Sequence, residues 1–152
     1  MLFRSTINTP SMLVIEDAID TMTWAKSIGG LPALIARSEA SLEAIKKWVI
    51  TSPYFDFLAE DPATISNTGV TLRIVDPWFG SLNDDDKVAV AAELDKRLQE
   101  EGVAFDAASY RDAPPGLRIW AGPTVETSDV ELLLPWLDWA YGEILNASDV
   151  AA

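Results

Sequence analysis

The sequence predicts an α/β fold of the α+β type, a sheet of about four strands, antiparallel or mixed, covered by helices. Two observations carry this. Apolar residues switch between helical and strand spacing in the order helix, helix, strand, strand, helix, strand, strand, helix. The 152 residues, 49% of them hydrophobic, suffice for one core and leave no room for a second domain.

The first helix opens at Thr9, a cap, with Pro10 at the first helical position, where a missing N–H costs nothing. Met12, Ile15, Ile19 and Met22 then share a face, and Gly29-Gly30 ends the helix. A second helix restarts at Pro32 and carries Ile35, Leu42, Ile45 and Val49 up to Ser52-Pro53. Tyr54 to Ala59 reads as a short strand, and the polar run from Asp61 to Thr68 as a loop. Val70, Leu72 and Ile74 alternate with Thr71, Arg73 and Val75, the period of a strand with one buried face, and Asp76-Pro77 stops it. Asp84-Asp85-Asp86 charges the start of a third helix, whose Val88, Ala91, Leu94 and Leu98 keep helical spacing until Gly102. Val103 to Tyr110 and Gly116 to Ala121 read as strands on either side of Pro114-Pro115, which a central strand would exclude. Ser128 and Glu131 form a capping box for a last helix from Leu132 to Leu145, bent by Pro135.

Composition narrows the function. Eleven basic residues against twenty-four acidic ones give a net charge of -13, which repels a polyphosphate backbone and argues against a nucleic-acid partner. Without cysteine or histidine there is no thiolate zinc site, no cysteine nucleophile and no imidazole base. No apolar run is long enough for a membrane span, and no basic start leads into an apolar stretch, so the expectation is a soluble, cytoplasmic chain without a membrane partner. Asp84-Asp85-Asp86 lacks the alternation, glycine and closing glutamate of a calcium loop, so no metal is expected there. The five lysines lie on predicted helices among polar neighbours and none is set up for Schiff-base work. The six tryptophans are expected in the core.

Three strings, read in order, resemble the C-terminal portion of phosphoserine aminotransferases: Ile7-Asn8-Thr9-Pro10-Ser11-Met12, Asp61-Pro62-Ala63-Thr64 with Ser66-Asn67-Thr68, and Tyr110-Arg111-Asp112-Ala113-Pro114-Pro115-Gly116-Leu117-Arg118-Ile119-Trp120. Leu133-Leu134-Pro135-Trp136-Leu137-Asp138-Trp139 is similar to the last helix of one branch, so the resemblance runs from about Thr6 to Leu145. It implies the small C-terminal domain of a class V, fold-type I aminotransferase that uses pyridoxal 5'-phosphate. That homodimeric enzyme moves an amino group between glutamate and 3-phosphohydroxypyruvate, giving phosphoserine, in serine biosynthesis. The family's cofactor lysine belongs to the large domain. Residues 1–10 are therefore expected to lead from a missing large domain, 11–146 to form the aminotransferase domain and 147–152 a flexible tail. The chain alone is expected to bind no cofactor and to have no catalytic residue of its own.

By the same resemblance, Asn8 and Thr9 reach the cofactor phosphate of the partner subunit, Arg118 holds the substrate α-carboxylate, and Arg111 receives the substrate phosphate. Each has an ordinary reading as well. Thr9 is a good helix cap, Arg111 has Asp112 beside it, and Arg118 sits on a strand surface. Strand alternation favours the functional role for Arg118, because Leu117 and Ile119 face the core and so turn Arg118 and Trp120 away from it. A guanidinium can also grip both oxygens of a carboxylate. Two other readings stay open: a free-standing dimerisation or interaction module, and a fragment of another class V aminotransferase.

Overall fold

A computed structural model describes residues 9–108, 110 and 112–151. The chain divides into two compact units, Met1–Ala36 and Arg37–Ala152. In the first, helix α1 spans Met12–Ser27. Its cap is Ser11 and not Thr9: the Val14 N–H donates to Ser11 Oγ at 3.5 Å and the Ile15 N–H to the Ser11 carbonyl at 3.2 Å. Serine caps better than threonine, and it stands next to the first helical residue, so Thr9 and Pro10 stay outside the helix. The expected apolar face exists, but Met12, Ile15, Ile19 and Met22 are exposed. Gly29 and Gly30 both take positive φ, the backbone turn that separates α1 from α2 (Gly30–Val49).

The second unit holds the core. The later part of α2 buries Ser38, Ser41, Leu42, Ala44 and Ile45 at helical spacing. Three strands, β1 (Phe55–Phe57), β2 (Gly69–Ile74) and β3 (Gly116–Trp120), form an antiparallel sheet in the order β1-β2-β3. Phe55, Val70, Leu72, Ile74, Leu117 and Ile119 face the core. Among the described residues the sheet thus has three strands where about four were expected. The segment read as a strand from Val103 to Tyr110 contributes one bridge, Ala108 to Leu117. Asp106 has φ of 55°, a left-handed conformation that interrupts an extended run.

Helix α3 (Pro77–Ser81) was not foreseen, because Asp76-Pro77 reads equally as a strand stop and a helix start. Asp76 Oδ1 accepts from the Trp78 and Phe79 amides, Pro77 takes a first-turn position, and the short helix buries Phe79. Helix α4 spans Asp84–Glu100 and is capped by Asn83, whose Oδ1 accepts the Asp86 amide at 2.9 Å. Its three leading aspartates meet the positive helix end. Ala91, Leu94 and Leu98 are buried as expected, whereas Val88 is exposed.

Helix α5 spans Thr127–Ala151. It begins one residue before the expected cap, with the Asp129 and Val130 amides donating to the Glu126 carbonyl, so Ser128 lies inside the first turn. Pro135 is accommodated within it, and residues 147–151, expected as a tail, continue the helix. Val130, Leu134, Leu137, Ala140, Tyr141 and Ile144 supply its buried stripe. Asp138 ties α5 to the end of α2 by accepting from Trp48 Nε1 at 2.7 Å and Ser52 Oγ at 2.6 Å. Of the tryptophans expected in the core, Trp48 and Trp78 pack against it. Trp24 and Trp120 are exposed, and Trp136 and Trp139 form an exposed edge-to-face pair with centroids 5.2 Å apart. No helix among the described residues is long and apolar enough to cross a membrane.

Candidate functional site

Strand β3 presents Arg118 on the sheet face opposite the core, as alternation required. Leu117 and Ile119 are buried on either side of it, and Thr71 is its cross-strand partner on β2. The strand lies close to β2 at its first residue, where a Cβ on Gly116 would stand 2.2 Å from the Leu72 carbonyl oxygen. Backbone contacts fix the other edge. The Arg118 N–H donates to the Ala107 carbonyl at 2.8 Å, and the Ala107 N–H donates to Asp95 Oδ1 on α4 at 2.9 Å.

The segment before Ala107 leaves α4 through a defined stop. Gly102 has φ of 70°, its N–H donates to the Gln99 carbonyl, and the Val103 N–H donates to the Leu98 carbonyl. This paired closure satisfies carbonyls that the helix end would leave open. It aims the chain towards the edge of β3.

The Arg118 guanidinium is held on three sides. Nη2 donates to Asp106 Oδ2 at 3.0 Å, Nη1 donates to the Tyr110 hydroxyl at 3.2 Å, and Cζ lies 4.3 Å from the centre of the Tyr110 ring. Nε is buried and has no hydrogen-bond partner among the described residues. The side chain as a whole is 19% exposed, and Asp106 is 88% exposed. Stacking on an aromatic face contributes about 0.5–1 kcal/mol and, more usefully here, fixes the guanidinium plane. Beside it opens a cleft of about 500 Å³, whose wall includes Phe105, Ile119, Trp120, Val125 and Leu133.

A second arginine shares the sheet face. Arg73 Nη2 donates to Asp56 Oδ2 at 2.8 Å across the β1–β2 pair. That bond holds the Asp56 carboxyl below its ordinary pKa, with the Phe57 N–H helping and partial burial opposing. Arg73 is thus committed to a cross-strand ion pair. Arg118 is ion-paired in the same one-point way, and the Nε of each arginine is buried without a partner among the described residues; Arg118 differs in lining the cleft.

Of the residues singled out in the sequence, the structure describes Arg118 and Thr9. Thr9 is exposed and lies in the Met1–Ala36 unit. Asn8 and Arg111 lie outside the described residues. Asp95, Asp106 and Tyr110 were not recognised as parts of the site. Tyr110 stands next to Arg111 in a quoted motif, but its contact with Arg118 depends on how residues 103–115 fold back, which spacing does not reveal. None of the five lysines is buried, and Lys96 lies between Glu93 and Glu100 at 3.8 and 3.6 Å. Among the described residues no group of three or more His, Cys, Asp or Glu side chains could hold a metal.

The three-stranded antiparallel sheet backed by helices has the fold of a domain of an aminotransferase. The phosphoserine aminotransferase from Bacillus circulans subsp. alkalophilus superposes with a TM-score of 0.72 at 19% identity, over 90% of this chain and 34% of that one. In sequence, the phosphoserine aminotransferases of Methanosarcina barkeri and Methanosarcina mazei are each 44% identical over 137 residues, covering 90% of this chain and 34% of their own length. Over 90% of its length the chain is therefore similar to the C-terminal part of phosphoserine aminotransferases. It spans about a third of the length of the relatives it matches. No family model matches the chain.

Proposed function

We propose that this chain is the substrate-carboxylate domain of a phosphoserine aminotransferase, which exchanges an amino group between glutamate and 3-phosphohydroxypyruvate in serine biosynthesis. One observation carries the reading: Arg118, mounted on β3 and mostly buried, lines a cleft on the sheet face opposite the core, with its Nε unpartnered among the described residues. A carboxylate can accept from two N–H groups of one guanidinium, a geometry that fixes orientation as well as charge. The relatives bear the name of this activity at 44% identity.

Pyridoxal 5'-phosphate supplies the electron sink for such an amino transfer when it is bound. The residues of this chain fit only part of that task. Its lysines stand on helix surfaces, with none in the buried, apolar setting that favours a reactive amine. A separate large domain is therefore the proposed source of the cofactor lysine, and the chain alone is proposed to be inactive. Asn8 and Thr9 are proposed to reach the cofactor phosphate of the partner subunit in a cytoplasmic homodimer, with Arg111 on the substrate phosphate. Arg118 orients the substrate by its carboxylate, and Tyr110 keeps the guanidinium plane in place.

Titration of the ¹⁵N-labelled chain with L-glutamate at constant ionic strength tests the carboxylate role. A saturable shift of the Arg118 Nε–Hε signal is expected, and its absence overturns the assignment. A titration with pyridoxal 5'-phosphate, then borohydride reduction and mass analysis, tests the division of labour. No stoichiometric adduct is expected, and a single saturable adduct on one lysine overturns that part.

A further inference from the structure

We propose that Asp106 is a resident stand-in for the substrate: its carboxylate occupies Arg118 when the site is empty and is exchanged for the incoming α-carboxylate. Asp106 is then a positioning residue that sets the affinity of the site, and the inference rests on the carboxylate reading of Arg118.

The contact has the features an exchangeable partner needs. It is made through one atom only, since Oδ2 meets Nη2 while Nε, on the same edge of the guanidinium, stays without a partner among the described residues. A two-point grip along that edge is stronger than a one-point contact, so a carboxylate that reaches Nε, buried in the empty site, as well as Nη2 has the advantage over Asp106. Asp106 is also 88% exposed, so its carboxylate can return to water when displaced, with little desolvation to reverse.

The backbone keeps the stand-in near without fastening it. Asp106 has φ of 55°, a conformation that aspartate and asparagine tolerate better than most side chains. The next residue is fastened at both polar groups, with Ala107 N–H on Asp95 and its carbonyl on the Arg118 N–H. The backbone beside Asp106 is therefore anchored to α4 and β3, and departure of the carboxylate needs only a side-chain rotation. Tyr110, stacked on the guanidinium and accepting from Nη1, keeps the fork oriented during the exchange.

The test is the L-glutamate titration of the full 152-residue chain at constant ionic strength, read at Arg118 Nε–Hε, with Asp106→Asn beside the natural chain. Asparagine suits the left-handed backbone and removes the competing charge. Asp106→Gly, which suits that backbone still better, is the second variant. The expected result is half-saturation at about two- to fivefold lower glutamate in both variants, the factor that corresponds to the loss of one exposed ion pair. The unliganded Arg118 signal should also move in both. Unchanged or weaker binding in both variants, with normal saturation of the natural chain, overturns the stand-in and leaves the carboxylate site intact. No response in any of the three chains overturns the carboxylate reading and the stand-in with it.

Discussion

Gly116→Ala tests how tightly β3 must lie against β2 to present Arg118. A Cβ at this position would stand 2.2 Å from the Leu72 carbonyl oxygen and 3.3 Å from its carbon. Ordinary contact begins near 3.4 Å, so the two strands must separate by about 3.4 − 2.2 = 1.2 Å at that point. The obstacle is backbone and cannot rotate away. Forcing a methyl into such a place costs about 1–3 kcal/mol. Against this, alanine restricts the unfolded chain more than glycine and returns about 0.4–1 kcal/mol. The net loss should be about 1–2 kcal/mol, or a Tm lower by about 3–8 °C for a domain of this size. Urea unfolding followed by tryptophan fluorescence measures it, since Trp48 and Trp78 pack against the core and report its loss. The Arg118 Nε–Hε signal should move as well, two residues from the strain. A variant as stable as the natural chain, with that signal in place, would refute the claim that this close approach is needed.

Two further predictions concern stability. Asp138→Ala leaves the Trp48 indole N–H and the Ser52 hydroxyl without their acceptor, in a partly buried setting. It should cost about 1–3 kcal/mol by urea unfolding, and a loss below about 0.5 kcal/mol would mean that water replaces the carboxylate without penalty. Burial, followed by the nearby negative charge of Asp76, raises the Tyr141 hydroxyl above its ordinary pKa of 10.0. The stability this represents is complete below pH 10.0 and is lost as pH rises, because the unfolded chain ionises first. Above that pH the natural chain should lose stability more steeply than Tyr141→Phe, by up to about 1.4 kcal/mol per pH unit. Parallel pH profiles would show that Tyr141 ionises alike in both states.

The elements that were legible in the sequence are those whose signals are local. The Val70, Leu72, Ile74 alternation became β2, and Leu117 and Ile119 turned inward around Arg118. Gly102 closed α4 where a glycine stop was read. Errors arose where one residue carries two local meanings or where a distant partner decides. Asp76-Pro77 stops a strand and also starts α3. Ser11 competes with Thr9 for the cap and takes it. Val103 to Tyr110 has strand-like composition, but the Ala107 N–H is taken by the Asp95 side chain and Asp106 turns left-handed. Trp136 and Trp139 do share a helix face, as their spacing says, but spacing cannot say whether that face is covered.

The outward placement of Arg118 follows from alternation, whereas its surroundings do not, and the reason lies in how the strand is held. The carboxylate clamp proposed for Arg118 would have to hold one guanidinium in one orientation, and a strand does this better than a loop because its backbone is bonded on both edges. The β2 edge supplies one set of bonds through the register that pairs Arg118 with Thr71. The other edge is a relay in which Asp95 on α4 holds Ala107, and Ala107 holds the Arg118 N–H. Each link joins residues far apart in sequence, so no local pattern announces it. The same relay explains why Asp106 can be exposed and still be found on Arg118: its neighbour is fixed, and only the side chain has to choose between solvent and the guanidinium. A site made this way separates a rigid cation from a movable anion. That is the property on which the proposed exchange of carboxylates at Arg118 depends.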